Sequence, residues 1–282
     1  MLTLSQRRHA RASQHEIVST QAGDLQYVDT GGNNPVILMT PDAPCVLAHH
    51  AALIENLQQD FRVVCFEMPG SGLSYPRAGY GFTISETADA MRELMDGLKI
   101  EKAILNFSCV NGLHAINFAS RFPDRVSHLI LGQTPSVASM KNWTDHNIPK
   151  ALGVPFLGQL IGRSAAATLS DKWFSVSLPR PSAHRTDFAN LSRSSLKAGG
   201  CFCLASITQG AFRSPDEDML GATHPTLMVY GDKDHSHRYT DFLSLTDIIP
   251  HAKIQKFSGC GHFPNIEKPE NFAEILRDFV SN

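Results

Sequence analysis

Three side chains in this sequence are of the types that catalyse attack on a carbonyl carbon. Cys109, Asp234 and His262 each follow an apolar run, in the segments AILNFSC, PTLMVYGDKD and AKIQKFSGCGH. A thiol becomes an effective nucleophile when a histidine takes its proton and a carboxylate orients that histidine. The three residues therefore predict a Cys-His-Asp triad, with Cys109 as nucleophile, His262 as base and Asp234 as the orienting acid.

Cys109 lies in a strand-turn-helix pattern whose tightest part is the segment SCVNG. The start of the following helix favours a thiolate and a developing oxyanion, because the free N–H groups there carry partial positive charge. On residue type alone, a buried apolar cysteine at the end of a strand is the alternative. Ser108 competes with Cys109 as nucleophile, and Asp232 competes with Asp234 as acid.

Short apolar runs alternate with helical patterns along most of the chain, which predicts a doubly wound, mostly parallel α/β sheet. Strands are expected at 24–31, 35–40, 61–68, 103–108, 127–134, 225–231 and 252–257. Helices are expected at 47–58, at 111–122, around 238–249, after the capping box of Thr83 and Glu86, and from Pro269 onward. Parallel strands end at one edge of a sheet, so the loops that carry the triad are expected to meet there.

The alternation of strands and helices stops over residues 136–222. This stretch lacks clear strands and is rich in Ala, Leu, Ser and Pro, with an apolar part at 148–173. We predict a helical cap at 136–222, inserted between the two parts of one core at 1–135 and 223–282. An insertion at this point should lie over the strand ends, where such sheets bind ligands.

Composition excludes several classes of protein. The chain has 282 residues, of which 42% are hydrophobic and 18% charged, and this supports a large buried core. Its formal net charge of −2 argues against a nucleic-acid or polybasic membrane-surface partner. No apolar run approaches the length of a bilayer-spanning helix. The Arg-rich N-terminus lacks the apolar stretch of a secretory signal, which leaves a transit peptide and a frayed tail as alternatives; a cytoplasmic location is expected.

Cysteine and histidine spacing gives no sign of a structural metal or a disulfide framework. Six cysteines are scattered along the chain, and the close pair Cys201 and Cys203 lacks the C-x-x-C spacing. The histidines show no H-E-x-x-H pattern, and PGSGLS is not a phosphate-binding G-x-x-x-x-G-K-[ST] loop. We therefore expect no metal, nucleotide or other cofactor.

Four segments resemble the α/β-hydrolase fold family, and the resemblance runs from about residue 24 to the C-terminus. VVCFEMPGSGLSYP resembles the turn after the family's fourth strand, and FSCVNGLHAINFA is similar to its nucleophile elbow, with Cys109 at the nucleophile position. PTLMVYGDKD and GCGHFPNIEKPENFAEIL are similar to the acid strand and the histidine loop. The order nucleophile, acid, histidine is that of this family. This register favours Cys109 over Ser108, and the Gly-x-x-Asp spacing favours Asp234 over Asp232.

The resemblance also implies an oxyanion hole formed by the backbone N–H groups of Asp42 and Val110. One departure from the family lies beside it, because Thr40-Pro41 replaces the usual His-Gly after the third strand. Asp42 would bring a carboxylate close to the developing negative charge, and this argues against a plain esterase.

The leading interpretation is a thioesterase-like acyl hydrolase or acyltransferase that forms an acyl-cysteine on an apolar acyl or aromatic substrate. Its small-molecule partner would include thioesters of an acyl carrier or of coenzyme A. Candidate substrate-binding residues are Thr40, His50, Ser108 and Trp173. His237, close to Asp234 in the sequence, is expected to be exposed.

Two alternatives remain open at this point. One is an enzyme of the same fold with non-acyl chemistry, such as a carbon–carbon bond hydrolase or a lyase. The other is an inactive ligand-binding module on the same scaffold. Phe107 and Asn111 in place of two elbow glycines fit such a module, whereas an intact acid and histidine do not. The sequence predicts no oligomeric state.

Overall fold

The computed structural model describes residues 16–213 and 221–281. The strands in this part of the chain are β1 (Glu16–Ser19), β2 (Gly23–Asp29), β3 (Val36–Met39), β4 (Arg62–Phe66), β5 (Ser71–Gly72), β6 (Tyr75–Pro76), β7 (Ala103–Ser108), β8 (Val126–Gly132), β9 (Cys201–Phe202), β10 (Thr226–Gly231) and β11 (Lys253–Phe257).

The α-helices are α1 (Ala51–Leu57), α2 (Ile84–Gly97), α3 (Val110–Arg121), α4 (Val137–Asn147), α5 (Leu157–Ser164), α6 (Ala166–Ser177), α7 (Arg185–Lys197), α8 (Leu204–Gly210), α9 (Pro264–Glu267) and α10 (Pro269–Ser281). Short 3-10 helices lie at Leu47–His50, Pro123–Arg125, Lys150–Gly153 and Phe242–Asp247.

One mixed sheet forms the centre of the molecule, in the strand order β1-β2-β4-β3-β7-β8-β10-β11, with β6 paired to β2. The β1–β2, β2–β4 and β2–β6 pairs are antiparallel, and every pair from β4 to β11 is parallel. Apolar runs such as VILM in β3 are covered on both faces, as parallel strands require. The predicted mostly parallel α/β sheet is confirmed.

The strand order reverses between β3 and β7. The chain builds β3 and β4 toward one edge of the sheet and then places β7 on the other side of β3. Loops diverge at such a switch point, so a crevice opens at the carboxyl ends of these two strands. Asp42 follows β3 and Cys109 follows β7, so both residues lie at this crevice.

Two apolar layers hold the sheet between its helices. Leu38 and Leu105 face the layer that α2 and α3 cover, whereas Ile37 and Ile104 face the layer of α1 and α10. Neighbouring residues of a strand point to opposite faces, so each apolar run serves both layers. Helix α2 begins at the predicted capping box, in which the Glu86 N–H donates to the Thr83 hydroxyl over 3.1 Å.

The predicted helical insertion is confirmed over α4 to α7, between β8 and β10. It also contains a short strand that the sequence pattern did not reveal, since Cys201 and Phe202 pair with Ser71 and Gly72. The prediction of a helix around 238–249 was wrong, because this segment forms only the 3-10 helix Phe242–Asp247. The exact limits of the cap remain a prediction, and the basic N-terminal segment lies outside the described residues.

None of the helices in the described ranges combines the length and the apolarity that crossing a bilayer requires.

Thr83→Ala should lower the free energy of unfolding by about 1 kcal/mol, because the substitution leaves an N–H group at the start of α2 without its acceptor. Urea denaturation measures this change. Ser85→Ala is the matched control, since it lies on the same helix turn, and it should stay within about 0.5 kcal/mol of the parent. Equal losses in the two variants would contradict the capping role.

Candidate active site

Cys109 occupies a strained backbone position between β7 and α3. Its φ of 56° and ψ of −131° lie in a region that L-residues rarely adopt. The Cys109 N–H donates to the carbonyl of Gly132 over 2.7 Å, and the Gly112 N–H donates to the carbonyl of Cys109 over 3.1 Å. Strain of this kind persists only where surrounding contacts impose it, and it is found at functional sites.

Neighbouring residues explain how this turn accommodates Phe107 and Asn111, which replace two glycines of the family's elbow. A β-carbon at Gly112 would overlap the Thr134 side chain, so this glycine is required by close packing. Phe107 points away from the turn into the core, where its ring packs against Phe66 at 6.1 Å. Asn111 donates from Nδ2 to the Pro41 carbonyl over 3.4 Å and so joins the turn to the loop after β3.

The acid and the histidine meet at the ends of β10 and β11. His262 Nδ1 lies 2.7 Å from Asp234 Oδ2, and both side chains are buried. The backbone N–H of His262 donates to the Ser177 carbonyl over 2.6 Å, so the insertion fixes the histidine loop. Asp232 is exposed and accepts the N–H of Gly259 instead. Of the two candidate acids, the structure thus brings Asp234 to the histidine.

The other ring nitrogen of His262 contacts a second carboxylate. His262 Nε2 lies 2.9 Å from Asp42 Oδ2, and Asp42 is buried. The sequence predicts a backbone N–H of Asp42 in the oxyanion hole and a carboxylate close to the developing charge, but it does not reveal the contact of this carboxylate with His262. A ring with a carboxylate at each nitrogen can donate to both only as the imidazolium.

Burial and charge set the protonation of this group of three. Burial alone disfavours a charged imidazole, but the negative charge of Asp234 and hydrogen bonds to Asp234 and Asp42 raise the pKa of His262 well above its usual value. Burial raises the pKa of Asp42, while the pKa of Asp234 is lowered because His262 outweighs the effect of burial. These directions favour an imidazolium between two carboxylates, with Asp42 the more basic of the two.

The thiol of Cys109 remains protonated beside this cluster. Burial, followed by the negative charge of Asp42, raises the pKa of Cys109 to about 11. Its sulfur lies 4.0 Å from His237 Nε2. The start of α3 favours the thiolate, but at this site burial and the nearby carboxylate outweigh that effect.

His237 is buried, so its predicted exposure was wrong. Its ring stacks on Trp143 at 4.4 Å and on His262 at 4.9 Å. The turn that buries it is formed by Asp234, whose Oδ1 accepts the N–H groups of Ser236 and His237. An Asp that accepts from the backbone two residues later is a recognised turn signal, and Asp-x-Ser in this loop is the feature that could have indicated it. Burial and the nearby His262 charge lower the pKa of His237 to about 3.

A cavity of about 740 Å³ opens over the strand ends, beneath the insertion. Asp42, Cys109, Val110 and Trp173 line it, and the Trp173 ring packs edge-on against His262 at 5.3 Å. His262 itself lies behind Asp42 and Trp173, with 1% of its surface exposed. Asp42 and Cys109 line the cavity, whereas Asp234, His237 and His262 are absent from its described lining.

Three of the candidate substrate-binding residues lie outside the described lining of this cavity. The Thr40 hydroxyl contacts the Pro41 carbonyl, and His50 contacts the Asn265 amide at 3.3 Å. Ser108 packs at Gly132 on the neighbouring strand. A role for them in substrate binding stays a prediction.

Charged residues along the cavity wall are mostly cationic. Lys172, Arg180 and Arg238 line it and are exposed to solvent, and among the described lining residues Asp42 is the only acid. The protein as a whole carries a formal charge of −2, so this positive lining is a local feature. It favours a ligand that carries negative charge.

Comparison with known proteins places this geometry among related folds. One family model, described as the alpha/beta hydrolase fold, matches residues 45–269. The 2-hydroxy-6-oxo-2,4-heptadienoate hydrolase of Pseudomonas putida is 23% identical over 274 residues, which cover 90% of this chain and 91% of that protein.

Two solved structures are similar over nearly their whole length. Epoxide hydrolase A from Mycobacterium thermoresistibile superposes with a TM-score of 0.79 at 17% identity, covering 95% of this chain and 98% of that one. A meta-cleavage product hydrolase from Pseudomonas fluorescens IP01 superposes with a TM-score of 0.68 at 21% identity, covering 94% of this chain and 97% of that one. At these identities the likeness shows the fold, and the reaction has to be argued from the site.

Iodoacetamide should alkylate Cys109 very slowly near neutral pH, because a pKa of about 11 leaves about one thiolate in 3,000 at pH 7.5. The rate, followed by peptide mass spectrometry, should rise about tenfold per pH unit up to about pH 10.

Cys203 is the internal control for this experiment, since a hydrogen bond from Cys201 lowers its pKa. It should react faster than Cys109 at pH 7.5. A Cys109 rate that already levels off near pH 7 would mean that a thiolate is present in the resting site.

Proposed function

The chain belongs to the alpha/beta hydrolase fold family, and on this basis we propose that it hydrolyses a carbon–carbon bond next to a ketone in a largely apolar oxo acid. The observation that carries the proposal is the buried carboxylate of Asp42, which faces the cavity and is held by His262 at 2.9 Å. The proposal is also supported by the activity of the Pseudomonas putida relative, a 2-hydroxy-6-oxo-2,4-heptadienoate hydrolase.

Asp42 is suited to act as the general base. Its raised pKa brings its basicity closer to that of a base that works at neutral pH, and His262 keeps the carboxylate oriented. In the first step Asp42 takes one proton from a water molecule while the water oxygen bonds to the ketone carbon. The former ketone oxygen becomes an oxyanion within reach of the backbone N–H groups of Val110 and Asp42.

Protonation of Asp42 resolves the repulsion that the sequence alone predicts at this position. A carboxylate beside an oxyanion is unfavourable, but the Asp42 side chain becomes neutral in the same step that forms the oxyanion. A neutral carboxylic acid donates a hydrogen bond instead of repelling the charge. The imidazolium of His262 stays in place and adds favourable charge.

In the second step the tetrahedral intermediate collapses and the carbon–carbon bond breaks. The bonding pair leaves with the departing carbon, which is stabilised as an enolate if a conjugated carbonyl follows. Asp42 returns its proton to that carbon. One water is consumed, a carboxylic acid and a C–H bond are formed, and the Asp42–His262–Asp234 cluster regains its starting charge.

The cavity fits an apolar substrate with an acidic end. Trp143, Leu169 and Trp173 supply apolar walls beside the site. Lys172 and Arg180 lie on the same wall and can pair with a carboxylate. This combination matches an unsaturated oxo acid better than an uncharged ester.

A second candidate is acyl transfer through an acyl-cysteine, and the strained elbow of Cys109 favours it. In this route the thiol sulfur bonds to the carbonyl carbon and its proton passes to Asp42. The tetrahedral intermediate then breaks the bond to the leaving group, which takes that proton from Asp42, and the acyl-cysteine is later cleaved by water or by an acceptor. The same cluster thus serves either nucleophile. Because the pKa of Cys109 is raised to about 11, neither the thiol nor water is ionised in the resting site, and Asp42 would have to take a proton in either route. Our proposal takes water as the nucleophile, and the experiment below separates the two routes.

A 2-hydroxy-6-oxo-2,4-dienoate is the probe that separates the two routes, with loss of its absorbance as the measure of turnover. Asp42→Asn keeps the shape of the side chain but removes the base, and it should lower kcat by about 10²–10⁴-fold. Cys109→Ala should lower kcat by no more than about tenfold, because water is the nucleophile.

Asp232→Asn is the matched control, since this acid is exposed on the same loop as Asp234, and its activity should equal that of the parent. Intact-mass spectrometry during turnover should find no adduct. An acyl adduct on the parent that Cys109→Ala lacks, together with loss of turnover in that variant, would replace the water route with the acyl-cysteine route. No turnover of any such oxo acid would contradict the proposed substrate class.

A further inference from the structure

We propose that the buried cluster beside this cavity binds one divalent transition-metal ion of the zinc class through Cys109, His237 and His262. One ligand atom of each residue lies within 4.8 Å of the others, and all three residues are buried. Metal binding by these residues does not depend on the proposed hydrolysis.

The spacing of the three groups is close to that of a tetrahedral site. Bond lengths of about 2.3 Å to sulfur and 2.0–2.1 Å to nitrogen place a sulfur and a nitrogen ligand roughly 3.6 Å apart. Cys109 Sγ and His237 Nε2 are 4.0 Å apart, which is a few tenths of an ångström longer than this spacing. The rings of His237 and His262 are stacked with their centroids 4.9 Å apart, and because nitrogen lone pairs lie in the ring plane, one ring has to tilt for both nitrogens to reach one ion.

Both histidines are already oriented by their other ring nitrogen. His262 Nδ1 contacts Asp234 at 2.7 Å, and His237 Nδ1 contacts the Thr240 hydroxyl at 3.0 Å. Metal-binding histidines show this arrangement, in which a carboxylate or another oxygen fixes the ring through one nitrogen. The other nitrogen of His237 lies near the Cys109 thiol and that of His262 faces Asp42, so a bound ion would displace the Nε2 proton of His262 and the thiol proton of Cys109. Two such rings side by side are not needed for the hydrolysis, which uses His262 alone.

Asp42 supplies a fourth ligand. Its Oδ2 lies 2.9 Å from His262 Nε2, so an ion bound to that nitrogen would also be within reach of this oxygen. A set of one sulfur, two imidazoles and one carboxylate suits zinc or cobalt and does not suit magnesium or calcium, which take oxygen ligands. A bound ion would occupy the groups that the hydrolysis needs, so the metal-bound protein and the hydrolytic form exclude each other.

Cobalt(II) titration of the full-length protein tests this inference without any substrate. We expect one ion per chain, with the intense visible bands of a tetrahedral site and a sulfur-to-cobalt charge-transfer band. Zinc should displace the cobalt. Cys109→Ala should abolish the charge-transfer band, and His237→Phe, which keeps the ring stack, should lower affinity at least about 10–100-fold.

Two further variants allow the inference to be tested even if Cys109→Ala or His237→Phe disturbs the fold. Thr240→Val leaves all ligands in place but removes the contact to His237 Nδ1, and it should weaken binding about 10–100-fold. His235→Ala is the matched control, because this histidine is exposed on the same loop and should leave affinity unchanged. Binding that is indifferent to Cys109→Ala, His237→Phe and Thr240→Val, or that lacks the charge-transfer band, would overturn the inference.

Discussion

The site depends on one buried imidazole held between two buried carboxylates. An isolated charge in this environment would be very costly, and the cost is offset only because each ring nitrogen of His262 meets an oxygen at 2.7 or 2.9 Å. The three residues follow three different parallel strands. Asp42 comes after β3, Asp234 after β10 and His262 after β11, so the cluster forms only when the sheet has its full register.

Helices of the insertion cover the two histidines that the ends of the strands bring together. The carbonyl of Ser177 in α6 fixes the backbone of His262, and Trp173 of the same helix covers its ring. Trp143 in α4 covers His237 and donates its indole N–H to the Ser236 carbonyl over 2.8 Å. These contacts exclude solvent from the imidazole while leaving Asp42 and Cys109 on the cavity wall. A low-dielectric setting of this kind strengthens each charge interaction within it.

Much of this arrangement is visible in the sequence. The apolar runs predict the parallel strands, and Gly-x-x-Asp and Gly-His after successive strands predict that Asp234 meets His262. The side-chain direction of Asp42 is not predictable in this way, because a loop after a strand has no periodicity and the family resemblance assigns this position only a backbone role. His237 was missed for a similar reason. Its burial results from a turn that Asp234 closes and from a stack on Trp143, some 94 residues earlier in the chain.

The protonation of His262 at neutral pH is the central claim of this account, and nitrogen-15 NMR of labelled histidine measures it most directly. We predict that both ring nitrogens of His262 carry protons at pH 7.5 and that the ring loses a proton only at alkaline pH. Asp42→Asn should lower the pKa of His262, because one of the two carboxylates that stabilise its positive charge is removed. A His262 ring that is neutral at pH 7.5 in the parent protein, with one protonated nitrogen, would contradict the account.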